Sequence, residues 1–138
     1  YDISILQLKE LLMTTRMNAL HNCKNPYQGK DKKVLTVCSA GLLRSPTLAW
    51  ILGNYNYNVR ACGIHDYALV PIDSVLVAWA DIIIFIHPDI EFACPLAYKS
   101  VKDKQIFTFD IPDIYEYKDP ELVTILTREC IDHKLINN

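Results

Sequence analysis

Apolar residues recur along the chain in short bursts whose spacing alternates between helical and extended. Ile5, Leu8, Leu12 and Leu20 fall near a helical period with Lys9, Glu10 and Arg16 between them, so the pattern predicts an amphipathic helix over 3–20 with Ser4 as its N-cap. Asn25, Pro26 and Gly29 interrupt it, and the basic stretch 30–33 reads as a solvated turn. Val34, Leu35, Thr36 and Val37 then form a β-branched, apolar run that predicts a buried strand. Further strands are expected over 58–62, 81–86 and 106–109. The third, apolar throughout after Asp81, is expected at the centre of the sheet.

Helical patterns separate these runs. Ser45 suits an N-cap and Pro46 a first helical position, which predicts a helix from Pro46 through Leu52. Pro71 opens a second pattern through Trp79, with Ile72, Val75, Leu76 and Trp79 on one face. Residues 90–98 read as a short helix or turn broken by Pro95. Asp119 as cap and Pro120 as first residue start a last helix through about His133, with Leu122, Ile125, Leu126 and Ile131 inward. Strand and helix alternate, so the expected fold is α/β: a three-layer open sheet of four parallel strands with helices on both faces, plus an extra N-terminal helix. One domain spans 1–138, divided into a helical extension (1–30) and a core (33–133). In open parallel sheets ligands bind beyond the carboxyl ends of the strands. Cys38, His87 and Asp110 each directly follow a predicted strand and are expected to meet on that edge.

Composition narrows the partners. The 138 residues carry 14 basic and 16 acidic side chains, a net charge of −2, so bulk electrostatics favour neither nucleic acid nor an anionic membrane. No apolar run approaches the ~20 residues of a membrane span. The five cysteines are odd in number and include no C-x-x-C pair, which argues against a disulfide framework and for a reducing, cytoplasmic setting. Cys62 with His65 and Cys130 with His133 resemble zinc half-sites, but each lacks a second close pair, so no metal and no cofactor is expected. Oligomeric state is left open.

The chemistry concentrates in residues 38–46. Ser39, Ala40 and Gly41 are small enough for backbone N–H groups to close around an anion, and Leu42 and Leu43 complete the curl. A helix starting near Pro46 aims its positive end at the same point. Arg44 adds a planar cation suited to two phosphate oxygens. A thiol at the focus of such a field favours its nucleophilic thiolate form. Cys38 is therefore the candidate nucleophile, Ser45 the candidate hydrogen-bond donor to its sulfur, and Arg44 with the loop amides of residues 39–43 the candidate transition-state cradle.

The run from Val34 through Thr47 resembles the Cys-x5-Arg-Ser loop of the protein tyrosine phosphatases, and of their low-molecular-weight branch in particular. Residues 61–64 resemble the end of that family's second strand, Trp79 through Ile83 its third-strand entry, and 110–117 its late acidic loop. The likeness covers roughly residues 33–133 and is strongest to a compact subgroup of predicted tyrosine phosphatases found in bacteria and their phages. It implies hydrolysis of a phosphorylated protein or small phosphoester through a phosphocysteine intermediate, with Asp110 or Asp113 as general acid. Asp110 is preferred because it follows the strand directly. Tyr115, Tyr117 and His87 are candidates for the pocket wall; a solvated or core-packing role for the tyrosines, and a local loop contact for His87, are the alternatives. Gly41 stands where the family usually has a loop-bracing Asn. Two other readings stay open: an arsenate reductase on the same scaffold, which needs redox cysteines near Cys38, and a phosphate-binding module without turnover. If the first two strands pair, Cys62 falls near Cys38, which opens a protective disulfide as an alternative to a structural thiol.

Overall fold

The computed structural model describes residues 29–39, 43–95, 98 and 103–137. The predicted helix over 3–20 with its cap Ser4, and loop residues Ala40, Gly41 and Leu42, lie outside the described residues. Four strands, β1 (Lys33–Cys38), β2 (Asn58–Gly63), β3 (Ile82–Phe85) and β4 (Gln105–Thr108), pair in parallel in the order β2-β1-β3-β4. Between and after them run α1 (Arg44–Gly53), α2 (Ser74–Trp79), α3 (Pro88–Ala93) and α4 (Pro120–Asp132).

That order fixes where the helices go. The chain leaves β1 for β2 on one side, then returns past β1 to β3 and on to β4. Right-handed crossovers in opposite directions place α1 on one face and α2 and α3 on the other. The two core clusters follow this division. Val34, Ile82, Ile84 and Ile86 pack with Leu48 and Leu52 of α1 and Leu122, Leu126 and Cys130 of α4. Leu35, Val37, Ile83 and Phe85 pack with Leu76 and Val77 of α2 and Ile90 of α3. β3 is buried at every position. Alternate residues of a strand covered on both faces must all be apolar, which is why this segment reads as a continuous run. Each such Ile or Leu withdrawn from water contributes about 1.5–3 kcal/mol.

Several boundaries differ from the sequence pattern. α1 begins at Arg44 with Leu43 at the N-cap and no side-chain cap; Ser45 lies inside the helix because its hydroxyl is engaged elsewhere. Pro71 does not open α2. It bridges Gly63, and Ile72 N–H donates to Gly63 O (2.8 Å), extending the sheet edge. The helix starts after Asp73, whose carboxylate accepts from Leu76 N–H at 2.8 Å. Its inward face uses Leu76 and Val77, while Val75 is exposed. α3 is shorter than the 90–98 pattern and starts earlier, capped by His87, with Pro88 in its first turn. α4 behaves as its Asp119-Pro120 signal predicts, Asp119 accepting from Glu121 N–H at 2.8 Å. Cys130 joins Leu122 and Leu126 as its fully buried residues, and Ile125 and Ile131 are half-buried. Among the described residues, no helix is long and apolar enough to cross a membrane.

Candidate active site

The direction of the crossovers changes between β1 and β3, and a crevice opens beyond the carboxyl ends of strands at such a point. Cys38 is the last residue of β1, at that crevice. The ladder continues past the strand ends: Ile64 N–H donates to Cys38 O (3.0 Å), His65 N–H to Ser39 O (3.2 Å), Ile86 N–H to Val37 O (2.9 Å) and Ile111 N–H to Ile86 O (3.1 Å). Four loops are thereby drawn to one edge.

Cys38 Sγ lies 3.0 Å from Ser45 Oγ, in contact with the first turn of α1. Ser45 is fully buried, and its hydroxyl also reaches Cys62 O at 3.3 Å. Its single proton serves one acceptor at a time. With a neutral thiol, S–H donates to Ser45 Oγ and the hydroxyl proton goes to Cys62 O. With a thiolate, the hydroxyl turns to sulfur and gives up the carbonyl. Thr36, directly beneath, donates from Oγ1 to Ser45 O (2.9 Å) and holds the turn against the sheet. Among the described residues, no side chain caps the N-terminus of α1, where Leu43 holds the N-cap position.

Arg44 is only 4% exposed although it is the first residue of α1. Its Nη1 donates to Ile111 O at 2.7 Å, and its Nε lies 3.6 Å from Asp113 Oδ1. The acidic loop therefore closes over the guanidinium. The two candidate acids part company here. Asp113 stands beside Arg44 with its side chain 60% exposed. Asp110 stands beside His87, Oδ1 to Nε2 3.3 Å, and is 80% exposed. Strand alternation explains the split. Phe109 and Ile111 point into the core on the α1 side, the side of Cys38, so Asp110 between them points to the α3 side.

The other sequence candidates separate as well. Tyr115 is buried in the α1–α4 core and does not wall the edge; burial, with Glu121 and Asp119 nearby, raises its phenol above the usual range. Tyr117 is 41% exposed, its ring 5.3 Å from Lys118 Nζ. His87 caps α3, its Nδ1 accepting from Asp89 N–H at 3.0 Å. In the loop after β2, Tyr67, which the sequence analysis does not single out, stacks on His65 (4.8 Å between centroids, 8° between planes). An aromatic two positions from a histidine just past a strand end was the available signal. Leu43, Tyr67 and Ile114 are exposed around the same edge.

Of the remaining described cysteines, Cys62 touches this arrangement through its carbonyl, which accepts from Ser45 Oγ. Cys62 and Cys94 pack in the core on the α2–α3 face, opposite to that of Cys38. The neighbouring strands do pair, but Cys62 is level with Val37 and shares its face, so the pairing does not present Cys62 to Cys38 for a disulfide. Burial pushes the Cys62 thiol well up, with smaller contributions from Cys38, Cys94 and Asp73. Cys130 lies on α4, next to Tyr57 ahead of β2, near the far end of the sheet. Burial, then Glu129, pushes its thiol up to about 12.

The sheet order, the crossovers and the helices on both faces define an open-sheet α/β fold. Among solved structures, the thioredoxin-dependent arsenate reductase of Corynebacterium glutamicum superposes on 90% of this chain and 70% of its own, with a TM-score of 0.54 and 15% identity. The arginine phosphatase YwlE from Geobacillus stearothermophilus covers 76% of this chain and 94% of its own, with a TM-score of 0.46 and 15% identity. No protein-family model and no curated protein sequence matches the chain. At that identity the likeness is one of fold.

Proposed function

We propose that the protein is a cysteine-dependent phosphatase that hydrolyses phosphomonoesters, aryl phosphates such as phosphotyrosine in particular. The observation that carries the reading is the contact of Cys38 Sγ with Ser45 Oγ in the first turn of α1, next to a buried Arg44. A dianion set there meets the positive end of a helix, a guanidinium and a nucleophile in line. The Cys38 thiolate attacks phosphorus, the bond from phosphorus to the leaving oxygen breaks, and Asp113 in its acid form gives that oxygen its proton. Asp113 takes this role ahead of Asp110, because it stands on the Arg44 side of the edge. Water then attacks the phosphocysteine, Asp113 accepts the water proton, and the S–P bond breaks. The departing thiolate is met by the Ser45 hydroxyl, and inorganic phosphate leaves. Arg44 and the amides of Ser39, Ala40, Gly41, Leu42 and Leu43 hold the equatorial oxygens. Tyr67, Tyr117 and Ile114 supply an apolar rim for an aromatic leaving group.

The arsenate reductase reading gains nothing from the geometry. Its chemistry needs a second thiol that attacks Cys38; Cys62 and Cys94 pack on the opposite face of the sheet from Cys38, Cys130 lies beside Tyr57, and Cys23 is outside the described residues.

The test is release of p-nitrophenol from its phosphate ester. The expected result is turnover that Cys38→Ser abolishes and orthovanadate inhibits. Asp113→Asn lowers kcat by about 10²- to 10⁴-fold with vanadate affinity retained. Vanadate binding without turnover by the wild-type protein would replace the enzyme with a binding module. Full activity in Cys38→Ser would end the proposal.

A further inference from the structure

The geometry points to His87 and Asp110 as a positioning strut that holds the acidic loop over Arg44, a role that rests on the reading of Asp113 as the general acid. His87 occupies the N-cap of α3, and its Nδ1 accepts the Asp89 N–H at 3.0 Å. A ring nitrogen that accepts carries no proton, so the neutral ring keeps its proton on Nε2. That nitrogen is the one 3.3 Å from Asp110 Oδ1. The helix cap thus selects the tautomer that presents a donor to the carboxylate.

A second tie runs beside the first. Thr108 Oγ1 donates to Glu91 Oε2 at 2.6 Å. Thr108 and Asp110 are two apart and share one side of β4 and its extension. Their partners Glu91 and His87 are four apart and share one side of the first turns of α3. The exit of β4 is therefore held to α3 by one hydrogen bond, from Thr108, and by the close approach of Asp110 to His87. One residue beyond the strut, Ile111 O accepts from Arg44 at 2.7 Å, and two residues further Asp113 reaches the same guanidinium. The strut sets where the loop departs from the sheet, and hence where Asp113 stands. It touches no substrate in this role.

The two functions of the imidazole separate by substitution. Asn at 87 keeps an acceptor at cap distance but cannot reach Asp110; Gln at 87 reaches Asp110 with an amide N–H but is a poor cap. His87→Asn is expected to speed amide exchange across 110–117, read by hydrogen–deuterium mass spectrometry, and to lower kcat on phenyl phosphate by about two- to fivefold. The loss should be smaller on p-nitrophenyl phosphate, whose better leaving group needs less protonation, and KM should hold. His87→Gln should restore both loop protection and kcat while lowering the melting temperature. Unchanged exchange in His87→Asn would overturn the strut. So would equal losses in Asn and Gln with a raised KM, since that pattern marks ring contact with substrate. If the wild-type protein shows no turnover, the phosphatase reading fails and the exchange measurement alone decides the strut.

Discussion

Ser45 illustrates how one side chain can depart from its local helix signal and still serve the proposed chemistry. A serine followed by proline is a strong helix-start signal, yet here the hydroxyl faces inward to Cys38 and Cys62 and the helix begins two residues earlier. The cap was sacrificed to the sulfur contact. On the proposed mechanism its contribution belongs to the second half-reaction, in which sulfur is the leaving group and a hydrogen bond to a charged partner is worth about 1.5–3 kcal/mol. Ser45→Ala should therefore slow breakdown of the phosphocysteine by roughly 10- to 100-fold and its formation much less. Stopped-flow traces should then show a burst of p-nitrophenol, about one per active site, that the wild-type protein lacks. A uniform fall in both steps with no burst would show that the hydroxyl only packs. Asp110 against Asp113 is the other residue-scale lesson. Proximity to a strand favours Asp110, but the direction of its side chain depends on where alternation ends, and the sequence 109–113 carries no mark of that.

Among the elements, the loop between β4 and α4 is tied at both ends. Ile111 O is bonded to Arg44 at the start, and Lys118 N–H donates to Thr47 Oγ1 at 3.0 Å at the close. Thr47 is fully buried on α1, and its hydroxyl donates in turn to Leu43 O at 2.7 Å. One hydroxyl thus joins the segment just before α1 to the end of the loop that precedes α4. Lys118 turns the chain with φ of 58° and sets its ammonium 4.6 Å from the Trp50 ring. Thr47→Val is nearly isosteric but leaves the Lys118 donor without its acceptor. It should cost about 1–3 kcal/mol in urea unfolding, and Thr47→Ser should recover most of it. Equal losses in both would assign the effect to packing. Helices and strands with strong end signals, such as Asp119-Pro120, were legible in the sequence. Thr47 was not, because a threonine inside a helix looks the same whether its hydroxyl faces solvent, its own backbone or a distant loop.

For the molecule as a whole, topology separates chemistry from stability along the strand axis. The carboxyl ends of β1, β3 and β4 carry Cys38, His87 and Asp110, as the alternation of strand and helix implied, because all four strands run the same way. The far end has only to be well packed. There Cys130 is fully buried on α4, and Tyr57 ahead of β2 donates its hydroxyl to Leu135 O. Burial raises both groups above their ordinary values, Tyr57 also through Asp31 and Cys130, and the Cys130 thiol to about 12 from 9.0. An unfolded chain loses the Cys130 proton near pH 9, whereas the folded chain keeps it until about 12, so between those values the unfolded state binds fewer protons. Stability is then complete below pH 9 and falls as pH rises through the window, by at most about 1.4 kcal/mol per unit for each such proton. Denaturant unfolding at pH 8 and 10.5 should show the decline. Cys130→Ala should start less stable at pH 8, from the small cavity it leaves, and lose less between the two pH values than the wild-type protein. Parallel curves for the two proteins would place the alkaline sensitivity in other groups and remove Cys130 from the account.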